Sequence, residues 1–226
     1  MYTLPAVHES SLHSSLKQFY LQDGGFSEWW LDGYWIDVFK QGQLIEIQTG
    51  KFSSLRSKFD ALLNDYPIRV VYPIARQKFI VMNDRHSNFV SRRKSPKSGR
   101  FEEIFNQLIY IIKYVNNPNF SLEILITSEE ELRRNDGLGS WWRRGVSIID
   151  RRLVSVLDRW LLLEPADYAR FVDPLCDQQF TNTELAARLK IPRRLAGKMT
   201  YCLAQLGVIS CIEKRKNAHI FQRTCG

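Results

Sequence analysis

No apolar run in this chain approaches the roughly 20 residues that a helix needs to cross a bilayer. That argues against a helical membrane protein. The opening MYTLPAVHESS has neither a basic flank nor an apolar core, so no secretory signal is expected. Cysteine is scarce: Cys176, Cys202, Cys211 and Cys225 all lie in the last quarter. Their spacings fit no CxxC zinc pattern, and no histidine stands at ligand spacing from a pair of them. A chain of 226 residues can bury a core without disulfides, so they read as reduced, mostly structural thiols in a cytoplasmic protein. No internal repeat is present, and nothing points to an organic cofactor. Acidic residues are the other deficit, 24 Asp and Glu against 32 Lys and Arg, a net charge of +8. Such a balance favours a polyanionic partner.

What is present reads as an α/β region, then a helical stretch, then a helix-plus-hairpin terminus. Leu12, Leu16, Phe19 and Tyr20 recur at helical spacing over 9–21. Three short strands follow, Phe26–Leu31, Tyr34–Phe39 and Leu44–Thr49, separated by Asp32-Gly33 and Gln41-Gly42. Both pairs are two-residue hairpin signals. Leu55, Phe59, Leu62, Leu63 and Tyr66 predict a helix over 53–66, and Ile68–Ile74 and Lys78–Met82 read as strands. The strand–helix–strand unit implies a parallel crossover. The basic stretch 85–100 reads as a loop, 101–115 as a long helix, 121–127 as a strand and 128–140 as a polar connector. Helices are expected at about 148–163, opened by Asp150 as its cap, and at 165–176. The resulting division is 1–140, a helical connector at 141–176, and 177–226.

Hairpin symmetry sharpens the first region. Residues equidistant from a two-residue turn face each other, so Glu28 stands opposite Asp37, and Asp37 opposite Glu46. Directly opposed Cβ atoms are roughly 5 Å apart, and like charges so placed destabilise a sheet. No Lys or Arg falls in that row, and Gln48 follows Glu46 on its face. A divalent cation would relieve the repulsion, since clustered carboxylates suit Mg²⁺ or Mn²⁺. The alternative is a solvated acidic patch in which a bulge breaks the register.

Glu9, Glu28, the run YWIDVFKQGQLIEIQTGKF and the order α-β-β-β-α-β resemble the PD-(D/E)xK nuclease superfamily. The likeness is to its Holliday-junction-resolvase-like and restriction-endonuclease-like branches, over about residues 5–82. It implies a Mg²⁺- or Mn²⁺-dependent phosphodiester hydrolase. Asp37 and Glu46 would be metal ligands, the Ile47 carbonyl a further oxygen ligand, and Glu28 or Glu9 would complete the shell. Gln48 departs from the family's usual lysine: it can orient water but supplies no charge. Lys51, Arg56 or Lys58 could supply that charge only if the start of the following helix directs them inward. Nucleases of this type often act as dimers.

The 85–100 loop, with Arg92, Arg93, Lys94 and Lys97, suits phosphate contact or is simply a solvated loop. Trp141-Trp142-Arg143-Arg144 reads as core packing ahead of a base-stacking clamp. Near the end, Thr181 and Glu184 form a capping box, Pro192 opens a second helix and Gly207 stops it, and a hairpin follows. The run FTNTELAARLKIPRRLAGKMTYCLAQLGVI resembles the core of the winged-helix family. That resemblance makes Arg193, Arg194, Lys198, Lys214, Arg215 and Lys216 candidate DNA contacts. The whole reads as a metal-dependent DNA endonuclease, or as a DNA-binding regulator with a degenerate nuclease-like domain.

Overall fold

A computed structural model describes residues 10–175, 178–216 and 218–224; Glu9, Cys176 and Cys225 lie outside them. Helix α1 (Ser11–Leu21) starts where the Ser10 hydroxyl accepts from His13 N, and it buries Leu12, Leu16 and Tyr20. Strands β1 (Phe26–Leu31), β2 (Tyr34–Lys40) and β3 (Gln43–Ile47) form the expected meander. Asp32 and Gly33 have φ of 45° and 89°, Gln41 and Gly42 of 50° and 78°. Positive φ at both central residues matches the right-handed strand twist, which is why Gly is needed second. The turns set the register inferred from symmetry: Trp30 pairs with Trp35, and Phe39 with Leu44.

After β3 a 3₁₀ turn at Phe52–Leu55 leads into α2 (Arg56–Leu62) and then β4 (Ile68–Asn83), which runs parallel to β3. Strand β5 (Phe89–Lys94) returns antiparallel along the far half of β4. A segment of short 3₁₀ turns around α3 (Phe105–Leu108) crosses to β6 (Phe120–Asn135), again parallel to β4, and β7 (Val146–Leu162) closes antiparallel to β6. One mixed sheet results, in the order β1-β2-β3-β4-β6-β7 with β5 on β4.

Both faces of its near half are covered. On one face Phe59, Phe105, Phe120 and Phe171 join Leu185 and Met199 of the C-terminal segment in a single core. On the other, Leu12 and Leu16 of α1 pack with Val38, Ile45, Ile47 and Leu125. The C-terminal segment comprises α4 (Asn182–Leu189), α5 (Arg193–Gln205) and the hairpin β8 (Ile209–Arg215) and β9 (Ala218–Arg223). Its capping box forms: Thr181 N donates to Glu184 Oε2 at 2.7 Å, and Glu184 N to Thr181 Oγ1 at 3.3 Å. This segment is tied to the sheet domain. Arg100 donates to Leu189 O at 2.6 Å, and Lys198 Nζ to Asn106 Oδ1 at 2.8 Å.

Several expectations need correction. Residues 146–162 form strand β7 rather than a helix, so most of the expected helical connector belongs to the sheet. The apolar residues Ile149, Leu153, Val156 and Trp160 imitate helical spacing, but β-branched positions and cross-strand charges favour the strand. Asp150 therefore opens no helix of its own. It caps α1 from β7, accepting from Ser11 N at 3.0 Å. Residues 165–175 are 3₁₀ turns, and 101–115 is broken into short turns, consistent with its run of Ile and Tyr being poor helix formers. The strands at 68–74 and 78–82 are one, with an irregularity between Ala75 and Gln77. The connector at 128–140 is mostly the outer half of β6, and the 85–100 loop contains β5.

The outer half of β6 was unreadable because it buries acids. Glu131 is 3% exposed and is met by Lys78 at 3.2 Å, Arg133 at 2.5 Å and, farther off, Arg151 at 3.9 Å. Burial pushes its pKa up, but Arg133 and Lys78 outweigh that and hold it below the ordinary value. A depressed carboxyl pKa stabilises the fold above the ordinary carboxylate range, and that stability is lost as pH falls through the folded value. Urea titrations of wild type and Glu131→Gln should therefore differ by on the order of 2 kcal/mol at pH 7. The gap should narrow steadily towards pH 3; a gap independent of pH would contradict this reading of the network.

Candidate active site

The acidic row lies where β1, β2 and β3 meet the two helices. The β1–β2 ladder holds one register on both sides of Glu28 and Asp37, but that pair itself is skipped, and Glu28 has φ 52°. The β2–β3 ladder ends at Val38–Ile45, so Asp37 and Glu46 occupy the next opposed positions, where the strands part. The ladder hydrogen bonds are replaced by a side chain: Asp37 Oδ2 accepts from Ile47 N at 2.8 Å. Ile47 thus engages Asp37 through its N–H.

Each acid of the row meets a base carried by a helix. His13 Nε2 of α1 is 3.2 Å from Asp37 Oδ2. One turn later Lys17, 7% exposed, forms a close ion pair with Glu28. From the opposite face, Lys58 Nζ of α2 reaches Glu46 Oε2 at 2.7 Å and donates to the Trp35 carbonyl at 2.7 Å. The repulsion implied by the strands alone is thereby offset by charges from two helices. His13 and Lys17 are readable in retrospect as an i, i+4 pair beside the buried stripe of α1. Lys58 precedes Phe59, whose burial fixes the rotation of α2.

Glu46 is the chemically unusual member. It is 5% exposed, and its second carboxylate oxygen, Oε1, is buried with no hydrogen-bond partner among the described residues. Its pKa is pushed up to about 7, chiefly by burial, with Lys58 opposing the shift and the Asp37 charge adding to it. Gln48, in contrast, is occupied by the following turn. Its Nε2 donates to Ser54 Oγ at 2.8 Å, and its Oε1 accepts from Gly50 N at 3.1 Å. Among the described residues no three His, Cys, Asp or Glu side chains gather into a metal-binding group. Glu9, the remaining sequence candidate, lies outside them.

A pocket of about 400 Å³ lies near the end of β3, lined by Thr49, Tyr72, Lys78, Lys97, Glu129 and Arg151 among others. The basic candidates are scattered around the molecule. Arg92 pairs with Glu130 at 2.9 Å and stacks over Phe79, and Lys97 is 3.7 Å from Glu103. Arg93 and Lys94 lie exposed on β5. Arg193 and Arg194 are exposed in the first turn of α5, while Lys198 is held by Asn106. On the C-terminal hairpin Lys214 and Lys216 are exposed, and Arg215 pairs with Glu213 at 3.0 Å. Trp141 and Trp142 are not core residues; they stand in solvent between β6 and β7.

Residues 10–162 match the family model described as Domain of unknown function (DUF8091). That span runs from Ser10, the cap of α1, to the end of β7. An uncharacterized protein of Treponema pallidum (strain Nichols) is 30% identical over 155 residues, covering 68% of this chain and 62% of the relative. The match thus spans less than two thirds of that relative's length. No solved structure matches the chain.

Removing Lys58 should expose how Glu46 is kept in place. In Lys58→Met a buried carboxylate loses its partner, a change that costs on the order of 3 kcal/mol. Glu46 can escape the penalty by taking up a proton, which its raised pKa makes easier as pH falls. Chemical denaturation should therefore show a large deficit at pH 8 and a small one at pH 5. A deficit equal at both values would place the effect in packing.

Proposed function

The chain belongs to the DUF8091 family, and from the chemistry of its site we propose that it is a metal-dependent deoxyribonuclease with a PD-(D/E)xK-like centre. A winged-helix-like C-terminal segment would direct it to duplex DNA. The observation that carries this reading is Lys58, an ammonium 2.7 Å from a buried carboxylate whose other oxygen has no partner among the described residues. It supplies from α2 the positive charge that Gln48 cannot supply from β3.

The residues fit a divalent cation. Two carboxylates with an orphaned buried oxygen are a hard-oxygen set, and Mg²⁺ is commonly held by one or two carboxylates with water and phosphate completing the shell. Asp37 and Glu46 would hold Mg²⁺ or Mn²⁺, which when bound makes water a stronger nucleophile and offsets phosphate charge. Asp37 is oriented for this by the Ile47 N–H and by His13. Lys58, anchored on the Trp35 carbonyl, would counter negative charge on the phosphate as the P–O bond breaks. Glu28, held by Lys17, sits beside the centre and gives it no free charge. Arg193, Arg194 and the C-terminal hairpin would contact the duplex backbone, with Lys198 serving the contact between α5 and α3 instead.

A specific observation also favours a second reading, a non-catalytic DNA-binding regulator: every acid of the row already meets a base. One experiment separates the two. Plasmid, nicked and branched DNA are incubated with wild type, Asp37→Ala and Lys58→Ala, with and without Mg²⁺ or Mn²⁺. The nuclease reading expects metal-dependent cleavage by wild type, reduced about 100-fold or more in either variant. It also expects Mn²⁺ to raise the melting temperature of wild type but not of Asp37→Ala. Tight binding by wild type without cleavage of any substrate under either metal would establish the regulator.

A further inference from the structure

At the far end of the sheet two hairpin tips stand side by side. Strands β4 and β6 are parallel and finish together at Asn83 and Arg134, so the turn into β5 and the turn into β7 share one end. The β6–β7 turn carries Trp141 and Trp142, 81% and 86% exposed, their rings edge-to-face with centroids 5.0 Å apart. Leu138 beside them is 85% exposed.

This turn is firmly built. Arg143 N donates to Ser140 O at 2.8 Å, Arg144 N to Trp141 O at 2.9 Å and Gly139 N to Gly145 O at 2.9 Å. Asp136 Oδ1 accepts from Leu138 N at 3.0 Å and from Ser147 Oγ at 2.8 Å. Gly139 is obligatory, because a Cβ there would lie 1.9 Å from Val146 O. A hydrogen-bonded scaffold therefore holds two large aromatic side chains in water, where they bury little but each other. Aromatic surface displayed in this way marks an interaction site.

The charge around it favours a polyanionic partner. Residues 84–94 and 133–145 together contain eight Lys and Arg against two Asp. Both acids serve as turn caps: Asp136 as above, and Asp84 accepting from His86 N at 2.8 Å and Asn88 N at 2.9 Å. Glu130 and Glu131, just outside, are paired with Arg92 and Arg133, which leaves six of the eight outside those pairs. Arg93 and Lys94 continue along exposed β5 from the tip as far as Ile80 and Phe79 of β4. From Val71, beside Ile47, β4 covers twelve residues to Asn83, about 40 Å at the usual strand rise. That is roughly one turn of duplex. A line of cations ending in an aromatic pair suits a polyanionic strand with accessible bases better than a lipid surface, which needs no track.

We propose that the β6–β7 tip is a base-stacking element, with Trp141 and Trp142 docking against unpaired bases of DNA whose backbone follows β5 and Arg143–Arg144. The partner class rests on the nucleic-acid reading above, and the proposal narrows the substrate to DNA with a single-stranded, bulged or branched feature about one turn from the site.

The test compares wild type with Trp141→Ala/Trp142→Ala in binding three fluorescein-labelled probes: a single strand, a bulged duplex and a perfect duplex. Circular dichroism and melting temperature confirm that the variant folds. Loss of two base–aromatic stacks should weaken the single strand and the bulged duplex about 10- to 100-fold, with the perfect duplex changed less than about threefold. An equal loss on all three probes, or none, overturns the proposal. So does binding to phosphatidylglycerol-containing vesicles that depends on the tryptophans while DNA binding does not. The Asp37→Ala protein is measured alongside and should keep the tip-dependent preference. Failure of the catalytic reading, seen as absent cleavage, is thereby distinguishable from failure of this one.

Discussion

The parallel pairing of β4 with β6, from Ile68–Phe120 to Asn83–Arg134, is the constraint on which the rest of the structure depends. Parallel neighbours cannot be joined by a tight turn, so the chain must cross a face of the sheet between them. The segment around α3 makes that crossing and brings Phe105 into the core. The β3–α2–β4 crossover does the same beside it and carries Lys58 to Glu46. The near half of the pair therefore lies between layers of apolar side chains. The far half extends past them, and there the buried Glu131 is met by Lys78 and Arg133 while Glu129 accepts from the Thr127 hydroxyl.

That division gives one sheet two chemistries. In the near half Ile68, Val70, Leu122 and Ile124 are fully buried, and most burial there follows apolar area, with Glu123 hidden between Leu122 and Ile124 and met by Arg69 at 3.5 Å. In the far half Glu129 and Glu131 are as hidden as core residues, and Lys78, Arg133 and Arg151 answer Glu131. Pairs of this kind add little net stability but penalise any register that separates them. They suit an arm that must hold its shape without a hydrophobic layer. The candidate active site lies at the other end of the same logic, where β2 and β3 part and helices reach in with His13 and Lys58.

The acidic row carries the functional argument because of how its charges are shared. The strands supply Glu28, Asp37 and Glu46, and separate helices supply Lys17, His13 and Lys58. Among the acids of the row, Glu46 combines deep burial, a raised pKa and an oxygen with no hydrogen-bond partner among the described residues. The proposed phosphate chemistry with a divalent cation would use Asp37, Glu46 and Lys58 together.

The meander, its register and the opposed positions of Asp37 and Glu46 were legible in the sequence, because Asp32-Gly33 and Gln41-Gly42 are local turn chemistry that acts over four residues. The capping box of Thr181 and Glu184 was legible for the same reason. Strand β7 was not: its apolar spacing fits a helix, and only the long-range ladder to β6 makes it a strand. Asp150 shows the difference at a single residue. Alone it reads as the cap of its own helix; in the fold it caps α1, 139 residues away. The sequence by itself determined which strand positions carry the three carboxylates. Tertiary structure decided what faces them, because Lys58 reaches Glu46 only when Phe59 is buried and α2 is laid across the sheet.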